Sequence, residues 1–122
     1  MPFRVGESVA QLGHWEPHMT VESIKANIVT CVWFDNNGHV RRSEYEPNQL
    51  EPWHDPNHQI GKAIPFGEVG ELVQLRSNGF FPLTVQARPV DGRVQCSWDN
   101  GEDTFMIETL IRWREEIIVE QA

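Results

Sequence analysis

Cysteine is scarce in this sequence: Cys31 and Cys96 are the only two in 122 residues. Two thiols cannot build the disulfide framework of a small secreted scaffold. Long apolar runs are also missing. None approaches the roughly 20 residues a membrane helix needs, and Met1-Pro2-Phe3-Arg4-Val5-Gly6 lacks the apolar stretch of a signal peptide. A cytoplasmic location is the expectation. Positive charge is in short supply, with ten Lys and Arg against eighteen Asp and Glu, a net −8. Residues 1–53 carry four basic and seven acidic side chains, residues 54–66 balance, and residues 67–122 carry five basic and ten acidic. Non-specific nucleic-acid binding depends on Lys and Arg neutralising phosphates, so direct nucleic-acid binding is not expected. An acidic surface fits a protein that meets other proteins, basic ones included.

What is present in excess is tryptophan, five in all, and a repeat. Self-similarity is the first thing to seek, because a missed repeat miscalls the fold. Val5-Gly6-Glu7-Ser8-Val9-Ala10-Gln11-Leu12 matches Val69-Gly70-Glu71-Leu72-Val73-Gln74-Leu75 with one residue fewer, which aligns Leu12 with Leu75 as inward-facing positions. Met19-Thr20-Val21 matches Leu83-Thr84-Val85, Cys31-Val32-Trp33 matches Cys96-Ser97-Trp98, and Asn37-Gly38 matches Asn100-Gly101. Tyr45, Leu50 and Trp53 match Phe105, Leu110 and Trp113 at identical spacing. The chain is read as copy one, 1–53, a connector, 54–66, and copy two, 67–122.

Each block has a structural reason. Stretches rich in β-branched and aromatic residues predict strands at 19–21, 29–34, 83–85 and 94–98. Asn-Gly after each third strand predicts a hairpin, as does Asp91-Gly92, with Lys25-Ala26-Asn27 doing the same job in copy one. Fourth strands follow at 39–43 and 102–106, and Leu50 and Leu110 begin a last short strand. Residues 110–121 suit a helix by the spacing of Leu110, Trp113 and Ile117, and a strand by Ile117-Ile118-Val119; the strand is preferred. The fold class is all-β: two tandem SH3-like β-barrels packed together.

Val5-Gly6-Glu7, Val9, Leu12, Met19-Thr20-Val21, Cys31-Val32-Trp33-Phe34 and Leu50 resemble the YodC-like family of small bacterial proteins. That family's Gly-Gly-Pro turn is replaced here by Trp15-Glu16-Pro17-His18, which keeps only the proline, and in copy two by Asn78-Gly79-Phe80-Phe81-Pro82. The resemblance implies a fold and carries no agreed activity.

Cys31 with Trp33, and Cys96 with Trp98, share a strand face at period two and read as core pairs, closed by Leu50 and Leu110. No histidine is matched between the copies, so a duplicated Cys–His pair is not indicated. His54-Asp55-Pro56-Asn57-His58 has chelating spacing, but Pro56 opposes a helix, so no metal and no cofactor are expected. The carboxylates fall at hairpin tips and outward positions, and no convergent nucleophile, base and stabiliser can be named. The chain is therefore expected not to be an enzyme.

Aromatics in a turn are the remaining signal. Trp15 with His18 in copy one, and Phe80-Phe81 in copy two, fall between strands one and two. Turn tips are normally polar, so these four residues either pack between the copies or contact a partner. The function expected is non-catalytic binding or inhibition of another protein, with a phage or mobile-element protein that blocks a nucleic-acid-handling complex as a special case. A nucleic-acid-associated SH3-like regulator, using Arg41-Arg42, Arg88, Arg93, Arg112 and Arg114, is the alternative.

Overall fold

The computed structural model describes residues 3–14, 16–53 and 68–113. Within them the fold is all-β, two five-stranded antiparallel sheets. The first holds β1 (Ser8–Gln11), β2 (Met19–Lys25), β3 (Ile28–Phe34), β4 (Val40–Tyr45) and β5 (Leu50–Pro52) in the order β4-β3-β2-β1-β5. The second holds β6 (Leu72–Leu75), β7 (Asn78–Val85), β8 (Arg93–Trp98), β9 (Gly101–Met106) and β10 (Leu110–Arg112) in the matching order β9-β8-β7-β6-β10. A 3-10 turn precedes each last strand, Pro47–Gln49 and Ile107–Thr109. No helix among the described residues is long and apolar enough to cross a membrane.

The sheets are open, not the closed barrels expected. Each last strand is three residues long and pairs with β1 or β6. Among the described residues β4 and β9 therefore remain edges.

Equivalent backbone bonds recur in both sheets. Gly6 N–H donates to Val21 O as Gly70 N–H does to Val85 O, both at 2.8 Å. Trp53 N–H donates to Ser8 O as Trp113 N–H does to Leu72 O, at 3.0 and 3.1 Å. This register corrects one alignment. Gln11 faces Leu50 where Leu75 faces Leu110, so Gln11 is the counterpart of Leu75 and the first strands need no gap. Leu12, expected inside, is 57% exposed, and its counterpart is the buried Arg76.

The turns lie where expected, with different chemistry at two of them. Asp91 (φ +53) and Gly92 (φ +75) make a left-handed pair in the β7–β8 connection, and Ala26 (φ +54) serves in the β2–β3 turn. Asn37 and Asn100 do not take positive φ. Asp35 to His39 form a five-residue loop with Gly38 (φ +79) in the left-handed position, and Gly101 already opens β9.

Two cores follow from strand alternation. Phe3, Val9, Met19, Val21, Val29, Cys31 and Leu50 bury together in the first sheet. Val73, Leu75, Leu83, Val85, Val94, Cys96, Phe105 and Leu110 bury in the second, joined by Val32 and Phe34 of β3. β3 is thus covered on both faces, and the first sheet completes the second sheet's core. Leu50 and Leu110 sit in these cores at 5% and 0% exposure. The connector 54–66 and residues 114–122 lie outside the described residues, so the strand expected at 117–119 does too; Leu110–Arg112 is a strand.

Candidate functional site

The two sheets meet along β3, and the contacts between them frame a cleft. Trp98 Nε1–H donates to Gly38 O at 2.8 Å, and Asn100 Nδ2 donates to Asn37 O at 2.6 Å. A side chain at Gly38 would meet the end of the exposed Asn100 side chain, which can move aside, so glycine is needed there chiefly for its φ of +79. Thr20, fully buried, donates its hydroxyl to Ser77 Oγ at 2.7 Å and accepts from Ser77 N–H at 3.1 Å. Arg42 spans the sheets: its Nε donates to Glu22 at 3.0 and 3.1 Å, its Nη1 to Asp103 at 2.8 Å and its Nη2 to Thr104 O at 3.1 Å. The guanidinium carbon also lies 5.8 Å from the Phe105 ring centre. Burial opposes its charge, but the carboxylates of Glu22 and Asp103 outweigh that and raise its pKa.

The cleft has a volume of about 650 Å³ and is lined by Glu16, Pro17, His18, Trp33, Phe34, Asp35, Asn36, Ser77 and Phe81. Three segments build it: the β1–β2 loop, the end of β3, and the β6–β7 turn with the start of β7. Phe34 and Phe81 pack tilted by 36° with ring centres 5.2 Å apart, and Trp98 meets Phe34 edge-on at 5.2 Å. His18 lies on Trp53, with ring centres 3.9 Å apart. Burial lowers the His18 pKa, with Glu16 pulling the other way.

Asp35 is already engaged. Its Oδ1 accepts the N–H groups of Asn37 and His39 at 2.9 and 3.0 Å, and its Oδ2 accepts Arg41 Nε at 2.9 Å. The His39 N–H does most to hold its carboxyl below the usual range; desolvation, next in size, opposes it, and Arg41 and Asn37 add to the lowering. Glu16 is exposed, and the titratable group it acts on in the cleft is His18.

Of the four aromatic-turn candidates, the cleft brings two together, His18 and Phe81. Trp15 lies outside the described residues. Phe80 is in β7, and its side chain is outside what the structure describes. The expected loop around Phe80-Phe81 is a strand: Asn78–Val85 is continuous β7, and the turn is Arg76-Ser77. The pairing of β6 and β7 is interrupted between Val73 and Leu75, which leaves Pro82 room on a strand it would otherwise disrupt. Phe81 packs between the copies and also lines the cleft.

Cys31 and Cys96 are fully buried, and burial raises both thiols to about 12, with Glu22 adding to the effect at Cys31. A thiol so placed is neutral at physiological pH and is no nucleophile. Trp33 and Trp98 flank them half-buried. Among the described residues no three His, Cys, Asp or Glu gather as metal ligands; His54 and His58 lie outside them. Glu16, Phe34, Asp35, Asn36 and Ser77 had not been singled out. The signal for Phe34 was present, since Val32 and Phe34 are apolar where copy two has Ser97 and Asp99. Compared with known proteins, the chain matches no family model and no curated sequence.

Proposed function

We propose that this is a non-catalytic protein-interaction module: two diverged SH3-like units whose shared cleft receives a segment of another protein. The matched strand order and the 3-10 turn before each last strand support the SH3-like reading, with open sheets in place of closed barrels. One observation carries the function. The cleft needs both units to exist, and it combines aromatic walls with polar and acidic groups, the composition of a recognition site. Neither cysteine is among its lining residues, and its one hydroxyl, that of Ser77, is hydrogen-bonded to Thr20 with no histidine or carboxylate on it among the described residues, so binding suits it better than chemistry.

Nucleic acid is the weaker partner. Arg41, Arg42 and Arg112 are paired with Asp35, with Glu22 and Asp103, and with Glu71, which leaves their charge largely compensated. A peptide-display selection tests the proposal. Peptides enriched on the wild-type protein should lose binding to Glu16→Arg/Asn36→Arg, both changes being at exposed cleft positions. Equal binding to the variant, or no enrichment at all, would refute the cleft as the site.

A further inference from the structure

The lining of the cleft restricts what its occupant can be. Among the described residues its acidic side chains are Glu16 and Asp35, and no Lys or Arg lines it. The whole chain carries −8, which repels anions over a wider range. A phosphate or carboxylate ligand would meet the carboxylates of Glu16 and Asp35, of which only Asp35 has a cation beside it, Arg41. A purely apolar ligand would strip water from Glu16 and give nothing back. A cation satisfies both constraints. Aromatic faces attract ammonium and guanidinium groups, more strongly as water leaves, and Trp33, Phe34 and Phe81 all line the same space. The molecule already shows this chemistry internally, where Arg42 sits by the Phe105 ring with two carboxylates as partners.

We infer that the cleft takes an arginine or lysine side chain of an extended peptide segment, held by its aromatic walls with the exposed Glu16 as counter-charge. Asp35, committed to Arg41 and two backbone N–H groups, adds field but no free acceptor edge. The inference rests on the interaction reading above and names the class of partner: a protein presenting an exposed basic segment.

The test uses three small probes: N-acetyl-arginine amide, N-acetyl-lysine amide and N-acetyl-citrulline amide, the last matching arginine in shape but uncharged. Each is titrated into the full-length protein while backbone amide and histidine ring signals are followed by NMR. The arginine and lysine probes should shift Glu16, Asn36, Ser77 and His18, and the citrulline probe should not at equal concentration. Glu16→Gln should weaken the arginine probe about fivefold, in line with an exposed charge pair, and added salt should weaken it further. Equal shifts with citrulline, shifts mapping away from the cleft, or no shift with either cation would overturn the inference. Display-selected peptides that need the cleft yet lack Arg and Lys would overturn it too, while leaving the interaction reading standing.

Discussion

β3 and β8 occupy the same place in matched sheets, but they are buried differently. In β3, Val29, Cys31 and Trp33 serve the first core while Val32 and Phe34 enter the second. In β8, Val94 and Cys96 are buried but Arg93 and Gln95 are exposed. The framework residues are common to both copies, and the interface is written in the alternate positions, Val32 and Phe34 against Ser97 and Asp99. The dependence is one-directional among the described residues: the second core contains first-sheet side chains, whereas the first core contains only its own. A strand that is apolar on both faces thus ties the two sheets together, since its second face is part of the second core.

The largest effect should come from removing that second face. Phe34 is 4% exposed, and Phe34→Ala should destabilise the protein by about 3–5 kcal/mol, the range for a large core aromatic. The matched change Asp99→Ala, at an exposed position, should stay within about 0.5 kcal/mol. Urea denaturation curves compare the two. If Phe34→Ala costs no more than Asp99→Ala, the shared core does not exist.

A glycine pair measures the approach of the two sheets more finely. Gly6 and Gly70 are equivalent, each at φ +94. A methyl at Gly70 meets nothing within 4 Å, whereas at Gly6 it would strike the Glu108 carbonyl oxygen of the second sheet. Gly70→Ala should cost about 1–2 kcal/mol for the left-handed backbone alone. Gly6→Ala should exceed it by at least about 1 kcal/mol, because backbone has to move. Equal costs, again from denaturation midpoints, would remove the contact between Gly6 and the Ile107–Thr109 turn.

Arg42 allows a comparison by charge. Its counterpart by register is Glu102, since Arg42 faces Val32 and Glu102 faces Ser97. Arg42→Met should cost about 1–2 kcal/mol, with hydrogen bonds to charged groups discounted for a side chain one-third exposed. Glu102→Gln, at an exposed position, should be near neutral. Raising the salt concentration should narrow the gap by screening the Arg42 ion pairs. A gap that does not respond to salt would mean that Arg42 acts through the contact of its guanidinium with the Phe105 ring.

Strand positions were legible because each rests on local chemistry: β-branched runs, hairpin turns, and a Leu that starts each closing strand. The errors have local causes as well. Leu12 looks like the partner of Leu75 because each is the next Leu after the strand's Val, three residues on in one copy and two in the other, yet only the pairing with β5 reveals that Gln11 holds that place. Asn78-Gly79 and Pro82 resemble turn residues, and the irregular β6–β7 pairing that absorbs them is a tertiary feature. The cleft was half visible. His18 and Phe81 stood out as aromatic or polar oddities, but Glu16, Asp35 and Ser77 are ordinary surface types. They gain meaning only when three distant segments converge, which no spacing rule encodes.

The smallest effect should come from His18, whose counterpart in copy two is Pro82 by the register that aligns Met19 with Leu83. Only the first copy's side of the cleft therefore titrates at this position. Burial against Trp53 lowers the His18 pKa below its usual 6.5. The folded state thus binds this proton less readily than the unfolded chain, and charging His18 works against folding. Its contribution is complete above pH 6.5 and is lost as pH falls through the lower folded value. An NMR titration of the ring should place the midpoint below 6.5, and His18→Gln should flatten the acid-side decline in stability over the same window. A cation held in the cleft would depress that midpoint further by like-charge repulsion. Adding N-acetyl-arginine amide should therefore move the His18 midpoint down, and N-acetyl-citrulline amide should leave it in place. A midpoint unmoved by arginine would separate His18 from the bound charge and confine its role to packing on Trp53.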